Sequence, residues 1–320
     1  MSRPAKTILL ALSVLLALAA QADAGAGREQ HRDSTSVELA DDRGYLVVVP
    51  RQPRRIISLT MFTDDILVEL VDHRRILGLT NFSLDPSISN VAGKTADIPN
   101  RLTLNTEVII ALQPDLVFVA NWSEADKVQQ LRKAGVAVFL IATGLTIPAI
   151  EQKIRIIGRL VGEQEAAERM IERMGGRLQS IKLKVSKIPL QKRLTVLDYS
   201  PWGSAQGKGS SWDEIVRLAG LINAVAEFSA DEWAQVFLSA EKLLELDPDI
   251  LILPGWVAGD PQGADSFYRE LVNDPSLRGM RAIREKRVYR MPEGLKTATS
   301  QYIADAVETL ARFAFPNLFK

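Results

Sequence analysis

Two glutamates introduce nearly the same phrase. Residues 107–119 read EVIIALQPDLVFV and residues 241–253 read EKLLELDPDILIL, so Glu107 and Glu241 each stand seven residues before a proline. A carboxylate in the first turn of a helix complements the helix dipole, by about 0.3–1 kcal/mol, and that alone accounts for either one. It does not account for equivalent acids on two repeated units, which suit recognition of a partner's cations at two matched points. Aromatic groups form the second set. Trp122, Trp202, Trp233 and Trp256 fall at the ends of strand-like runs or in loops, where rings can stack on a large planar or greasy ligand; each has core or rim packing as an even rival. Trp212, on a helix-like stretch after Ser211, reads as core.

Groups for covalent chemistry are scarce. The chain has no cysteine and two histidines, His31 and His73, which excludes a thiol mechanism. The run Gly203–Gly209 is glycine-rich, but glycine rather than Ser or Thr follows Lys208, so it departs from the phosphate-loop pattern. It reads as a flexible loop. Neither a dinucleotide fingerprint nor a nucleophile elbow occurs. An exported enzyme working in a cleft is the alternative class, without a recognisable nucleophile, base or metal cluster to support it.

Acidic and basic residues balance at 39 each, so no basic field points to nucleic acid and no polybasic segment to an anionic membrane. Arg3 and Lys6 precede the apolar run Ile8 to Ala20, and Ala22, Asp23 and Ala24 form a small-residue cleavage site. Residues 1–24 are therefore expected to be a signal peptide, too short in its apolar run for the roughly twenty residues of a membrane span. With no cysteine to carry a lipid, the mature chain is expected to be soluble and unanchored, in the periplasm of a Gram-negative cell, and not a lipoprotein. Residues 25–40 are expected to be a flexible leader.

A scaffold for these groups is legible in the alternation of apolar runs with amphipathic stretches. Tyr45 to Val49 reads as a first strand, Arg55 to Leu59 as a central one, and Asp64 and Asp65 as the opening of a helix with an apolar face through Ile66, Leu67, Leu70 and Val71. Strands at 76–79, 116–120 and 136–141, with a helix at 124–133, complete a parallel α/β lobe over residues 41–161. A second α/β lobe, residues 190–320, repeats the scheme with strands at 194–197, 250–253 and 288–291 and helices after Ser211, Ser239 and Ser300. Between them lie a helix from Ile147 to Val161, stopped by Gly162, and a connecting helix over residues 163–187, on the order of 35 Å long. The fold class expected is α/β: two lobes with mainly parallel sheets, one long helix between them and a ligand cleft at their junction. Gly175-Gly176 falls inside that helix and reads either as a tolerated weak spot, the preferred reading, or as a hinge.

The signal peptide, the run RRIISL (54–59) before an acidic helix start, the two glutamate phrases, the long mid-chain helix and the ending TSQYI (299–303) together resemble the periplasmic binding proteins of ABC importers for iron-siderophore complexes and cobalamin. The likeness spans residues 41 to 319. It implies a non-enzymatic monomer without a cofactor that captures a metal chelate or corrinoid between its lobes. It also implies docking of Glu107 and Glu241 on arginines of an inner-membrane ABC permease. By position, Trp233 is similar to a tryptophan of cobalamin binders and Arg101 to a ligand-facing arginine of hydroxamate-siderophore binders. Phe62, after the first strand, faces the same cleft by topology, and Tyr199 is a further ligand candidate with core packing as its rival. Two histidines disfavour the related zinc and manganese binders, and the tyrosine that haem-binding relatives carry near Arg101 is missing.

Overall fold

Short β-branched runs alternate with amphipathic helices from Leu46 onward and assemble into two sheets. The computed structural model describes residues 35–320, of which Val37–Lys320 form one unit. The expected signal peptide and most of the leader lie outside the described residues. The leader's last five residues do not continue a flexible tail: they form β1 (Ser36–Ala40), which pairs with β2 (Leu46–Pro50).

The first lobe is built on β3 (Ile56–Ser58), β4 (Ile76–Thr80), β5 (Asn100–Leu102), β6 (Leu116–Ala120) and β7 (Val138–Ile141), in the order β5-β4-β3-β6-β7 with every pair parallel. All residues of β6 and β7 are buried, as expected where helices cover both faces of a sheet. The helices are α1 (Met61–Leu70), α2 (Thr106–Ala111) and α3 (Ala125–Lys133). The chain moves outward from β3 to β5 and then returns to β6, so the strand order reverses between β3 and β6. Ligands of open parallel sheets collect at the carboxyl ends beside such a reversal.

α4 (Ile147–Val161) ends at Gly162, whose φ of 76° is the left-handed stop glycine tolerates. α5 (Gln164–Val185) then runs without a break through Gly175 and Gly176, where an added Cβ would meet nothing within 4 Å. The second lobe holds β8 (Thr195–Asp198), β9 (Ser204–Gln206), β10 (Ile222–Asn223), β11 (Gln235–Phe237), β12 (Ile250–Pro254) and β13 (Val288–Met291). Its parallel sheet has the order β10-β8-β12-β13. β9 and β11 form a separate antiparallel ribbon, so part of the stretch expected to be a flexible glycine loop is a paired strand. Helices α6 (Ser211–Leu218), α7 (Ala240–Leu246), α8 (Gly263–Asn273), α9 (Arg281–Arg284), α10 (Glu293–Lys296) and α11 (Ile303–Ala314) complete the chain. The protein thus consists of two α/β lobes with mainly parallel sheets joined through long helices. One apolar cluster runs from Ile56 and Ile66 through Ile157 and Met174 to Trp212, Ile252 and Val307, and therefore spans both lobes.

The repeated phrase folds the same way twice. Asn105 caps α2 by accepting from Val108 N, and Ser239 caps α7 by accepting from Lys242 N. A residue with positive φ, Gln113 (46°) or Asp247 (37°), then leads into Pro114 or Pro248. After it Asp115 Oδ2 accepts from Arg55 N at 3.0 Å and Asp249 Oδ2 from Thr195 N at 2.8 Å, each carboxylate pinning the start of a neighbouring strand. Glu107 and Glu241 occupy equivalent, exposed places one residue into their helices.

Candidate functional site

The carboxyl ends of all five strands of the first sheet open into one cavity of about 670 Å³. β3 contributes Leu59 to Phe62, β4 Thr80 to Phe82, β5 Leu102 to Leu104, β6 Val119 to Glu124 without Asn121, and the segment after β7 Thr143. The second lobe supplies the facing wall from the segment after β13: Gly294, Thr297, Ala298 and Thr299. The lining is apolar with interspersed hydroxyls and amides, and its charged members are the carboxylates Asp65 and Glu124.

Thr60 sets the floor of this cavity. It caps α1, its Oγ1 accepting from Thr63 N at 3.2 Å, so the helix begins at Met61 rather than at the expected Asp64. That earlier start carries both aspartates inside. Every residue from Phe62 to Val68 is buried, so Asp64 and Asp65 are enclosed by protein instead of complementing a solvated helix end. Asp64 accepts from Thr80 N at 3.1 Å and Thr80 Oγ1 at 2.6 Å, yet burial pushes its carboxyl up to about 8. Burial likewise pushes Asp65 up to about 7, against the donors Asn90 and Ser300. At Glu69, burial raises the pKa, but hydrogen bonds from Lys94 and Tyr302 prevail and leave it lowered.

A polar seam joins the lobes beside the cavity. Ser300 Oγ donates to Asp65 Oδ2 at 2.7 Å and Gln301 Nε2 to the Asp65 carbonyl at 2.6 Å. Asn90 Nδ2 bridges Asp65 Oδ2 at 2.9 Å and the Gly294 carbonyl at 3.0 Å, and Glu293 N donates to the Ser87 carbonyl at 2.7 Å. Gly294 is required by this approach, since a Cβ there would stand 2.4 Å from the Ile88 carbonyl oxygen. Behind the seam, the buried Lys296 ammonium lies 3.4 Å from Glu293 and 3.8 Å from Asp198. Burial lowers the Lys296 pKa, but these acids outweigh it and leave it raised.

The structure brings together only part of the set expected from sequence. Phe62 and Trp122 line the cavity, Phe62 buried and Trp122 68% exposed. Trp256 reaches its rim by an edge-to-face contact with Phe82 at 5.8 Å, bridging the two lobes. Trp202 and Trp233 are exposed on the second lobe and do not line the cavity. Tyr199, partly buried, packs on Phe267 at 6.1 Å against the second lobe's core, and Trp212 is fully buried as expected. Arg101 is the clearest departure. Its guanidinium donates to the carbonyls of Ile98, Asn100 and Thr95 at 2.6–3.0 Å and does not line the cavity. Those carbonyls are local to its own loop, and they engage its two terminal nitrogens while Nε is buried without a partner.

Sequence reasoning missed Asp65, Asn81, Phe82, Asn90 and the 294–299 wall. The available signal was two adjacent acids within an otherwise apolar helix, which asks for buried partners. Among the described residues no cluster of three or more His, Asp or Glu side chains is placed to hold a bare metal ion, and no helix is long and apolar enough to cross a membrane.

Two parallel α/β lobes enclosing a cavity at the carboxyl ends of the strands define a two-lobe solute-binding protein. The chain belongs to the periplasmic binding protein family, whose model matches residues 56–295. It is 24% identical over 298 residues, covering 91% of this chain and 90% of the other, to an uncharacterized ABC transporter substrate-binding lipoprotein, YvrC, of Bacillus subtilis. It is 26% identical over 256 residues, 78% of this chain and 68% of the relative, to a cobalamin-binding protein of Halobacterium salinarum. The fold is similar to that of the molybdate-bound periplasmic protein MolA of Haemophilus influenzae, with a TM-score of 0.71, 19% identity, and coverage of 88% of this chain and 92% of that one. The chain is a solute-binding component of an ABC importer, a carrier and not an enzyme.

Proposed function

We propose that the cleft takes a bulky metal chelate whose outer surface is largely apolar and uncharged or cationic, either a corrinoid or a ferric hydroxamate, and hands it to an inner-membrane permease. The observation that carries this reading is the lining, in which Leu59, Phe62, Phe82, Leu104 and Trp122 surround hydroxyl and amide groups and the charged members are Asp65 and Glu124. A small dianion or a trianionic ferric catecholate would face two carboxylates without a counter-charge in the wall. An amide-decorated macrocycle would instead meet aromatic faces and hydroxyls able to donate and accept. The name of the Halobacterium relative points the same way.

Phe62 and Trp122 are proposed as direct contacts, Phe82 and Trp256 as the rim, and Trp202 and Trp233 as contacts for the part of a large ligand left outside the cavity. Glu107 and Glu241, equivalent in place and exposed on both lobes, are proposed as the docking acids for the permease. We take the mature protein to be exported by cleavage after Ala24 and, lacking cysteine, to remain free of a lipid anchor.

Titration of the protein's tryptophan fluorescence with cyanocobalamin, cobinamide, a ferric hydroxamate, a ferric catecholate and molybdate, checked by calorimetry, tests the reading. Saturable binding of a corrinoid or the hydroxamate, with no binding of molybdate or the catecholate, is the expected pattern. Tight binding of either anion would refute it.

A further inference from the structure

Asp65 is 5% exposed, lines the cavity, and uses only half of its carboxylate on the protein. Both side-chain donors that reach it, Asn90 Nδ2 and Ser300 Oγ, go to Oδ2. Among the described residues none donates to Oδ1. A carboxylate oxygen that faces a cavity without a protein donor is left to water or to a ligand group that can donate to it. Glu124, the other acid of the lining, is exposed and already paired with Lys127, so Asp65 is the buried acid that a ligand in this cavity would meet.

Resting on the chelate reading above, the geometry points to Asp65 as a specificity-determining residue of the cleft: Oδ1 accepts a hydrogen bond from an amide N–H or ammonium group of the ligand, while Oδ2 ties that contact to the second lobe through Ser300. Above pH 7, where Asp65 is ionised, a ligand presenting a carboxylate at the same place would set like charges against each other and would be rejected. The same carboxyl therefore does two things at once. It reads the sign of one ligand group, and it holds the wall formed by the segment after β13 against the first lobe. Because Gln301 also donates to the Asp65 carbonyl, a shift of α1 on ligand binding would be felt directly at the start of α11.

The test compares chelates that differ in a single peripheral group. One series is cyanocobalamin with a side-chain amide, the same side chain as its methyl ester, and the same side chain as the free acid, prepared for each side chain in turn. The other is a ferric hydroxamate with a terminal ammonium and its succinylated form, which ends in a carboxylate. For whichever chelate binds, wild-type protein at pH 8 should favour the amide or ammonium over the acid by about tenfold or more, with the ester between them. Asp65→Asn should collapse that ratio to within about threefold, because its amide can donate to a carboxylate. Ser300→Ala removes the interlobe donor without touching Oδ1, so it should weaken all members by a common factor and keep the ratio, and this contrast with Asp65→Asn is what a purely structural role for Asp65 would not produce. Equal wild-type affinities across the series, or an unchanged ratio in Asp65→Asn, would overturn the assignment while leaving the chelate reading intact. Failure of wild-type protein to bind any corrinoid or hydroxamate would overturn both.

Discussion

Replacing Asp64 by asparagine should make the protein more stable, and increasingly so as pH rises. The side chain is 1% exposed and its carboxyl is raised from 3.8 to about 8 by burial, so at neutral pH the folded protein holds a proton that the unfolded chain has released. The sign follows from that difference. A group with a raised folded-state pKa contributes stability that is complete below its unfolded value and is lost as pH climbs toward the folded one, here across roughly pH 4 to 8. Within that window the loss approaches roughly 1 kcal/mol per pH unit, and between about pH 5 and pH 7 it sums to about 2–3 kcal/mol. Asparagine keeps an oxygen for the two Thr80 donors and has no proton to lose. Urea unfolding of the two proteins followed by circular dichroism at both pH values should therefore show the variant gaining about 2–3 kcal/mol on wild type over that interval. Parallel stability curves would refute the argument, because they would mean that Asp64 is ionised in the folded protein or solvated in a way its burial does not allow.

Gly175→Ala and Gly176→Ala place a methyl group in open space on a continuous helix, so each should stabilise the protein by about 0.5–1 kcal/mol in thermal unfolding without loss of ligand affinity; a drop in affinity or uptake would show that the pair is needed as a hinge. Lys296→Met should cost about 3–5 kcal/mol by leaving Asp198 and Glu293 without their cation, and adding Asp198→Asn should recover part of it, a coupling measurable as a double-mutant cycle. Glu107→Ala with Glu241→Ala should abolish ligand uptake by whole cells while leaving the purified protein's affinity unchanged, and normal uptake would remove both from the docking surface.

Local chemistry was the legible part of this chain. β13 has the bounds expected of it, α4 stops at Gly162 as a glycine after a periodic helix should, and the two Pro-Asp phrases fold into the same turn in both lobes. What stayed hidden depends on partners far along the chain. The β9–β11 ribbon pairs three-residue strands whose register no local pattern specifies. Asp65 meets Ser300 across 235 residues, so nothing near it in sequence reveals that it is buried at a lobe junction. Arg101 shows the reverse case, where a residue suited to an anionic ligand spends its guanidinium on three carbonyls within six residues of itself.

The repeated phrases invite the idea that the molecule could be divided into two working halves, and the seam argues otherwise. α1 belongs to the first lobe by sequence, yet its Asp65 carbonyl and carboxylate are acceptors for the second, and one apolar cluster continues from the first sheet to the last helix. A fragment ending before α6 would lose the part of that cluster from Trp212 to Phe319, and a fragment beginning there would leave Ser300 and Gln301 without acceptors. Melting should then be a single cooperative event, with the amides of α1 exchanging as slowly as any in the molecule. The chain repeats one turn-and-strand phrase in each lobe while the seam and the shared cluster tie the lobes together, so a lobe made to stand alone would need a different α1.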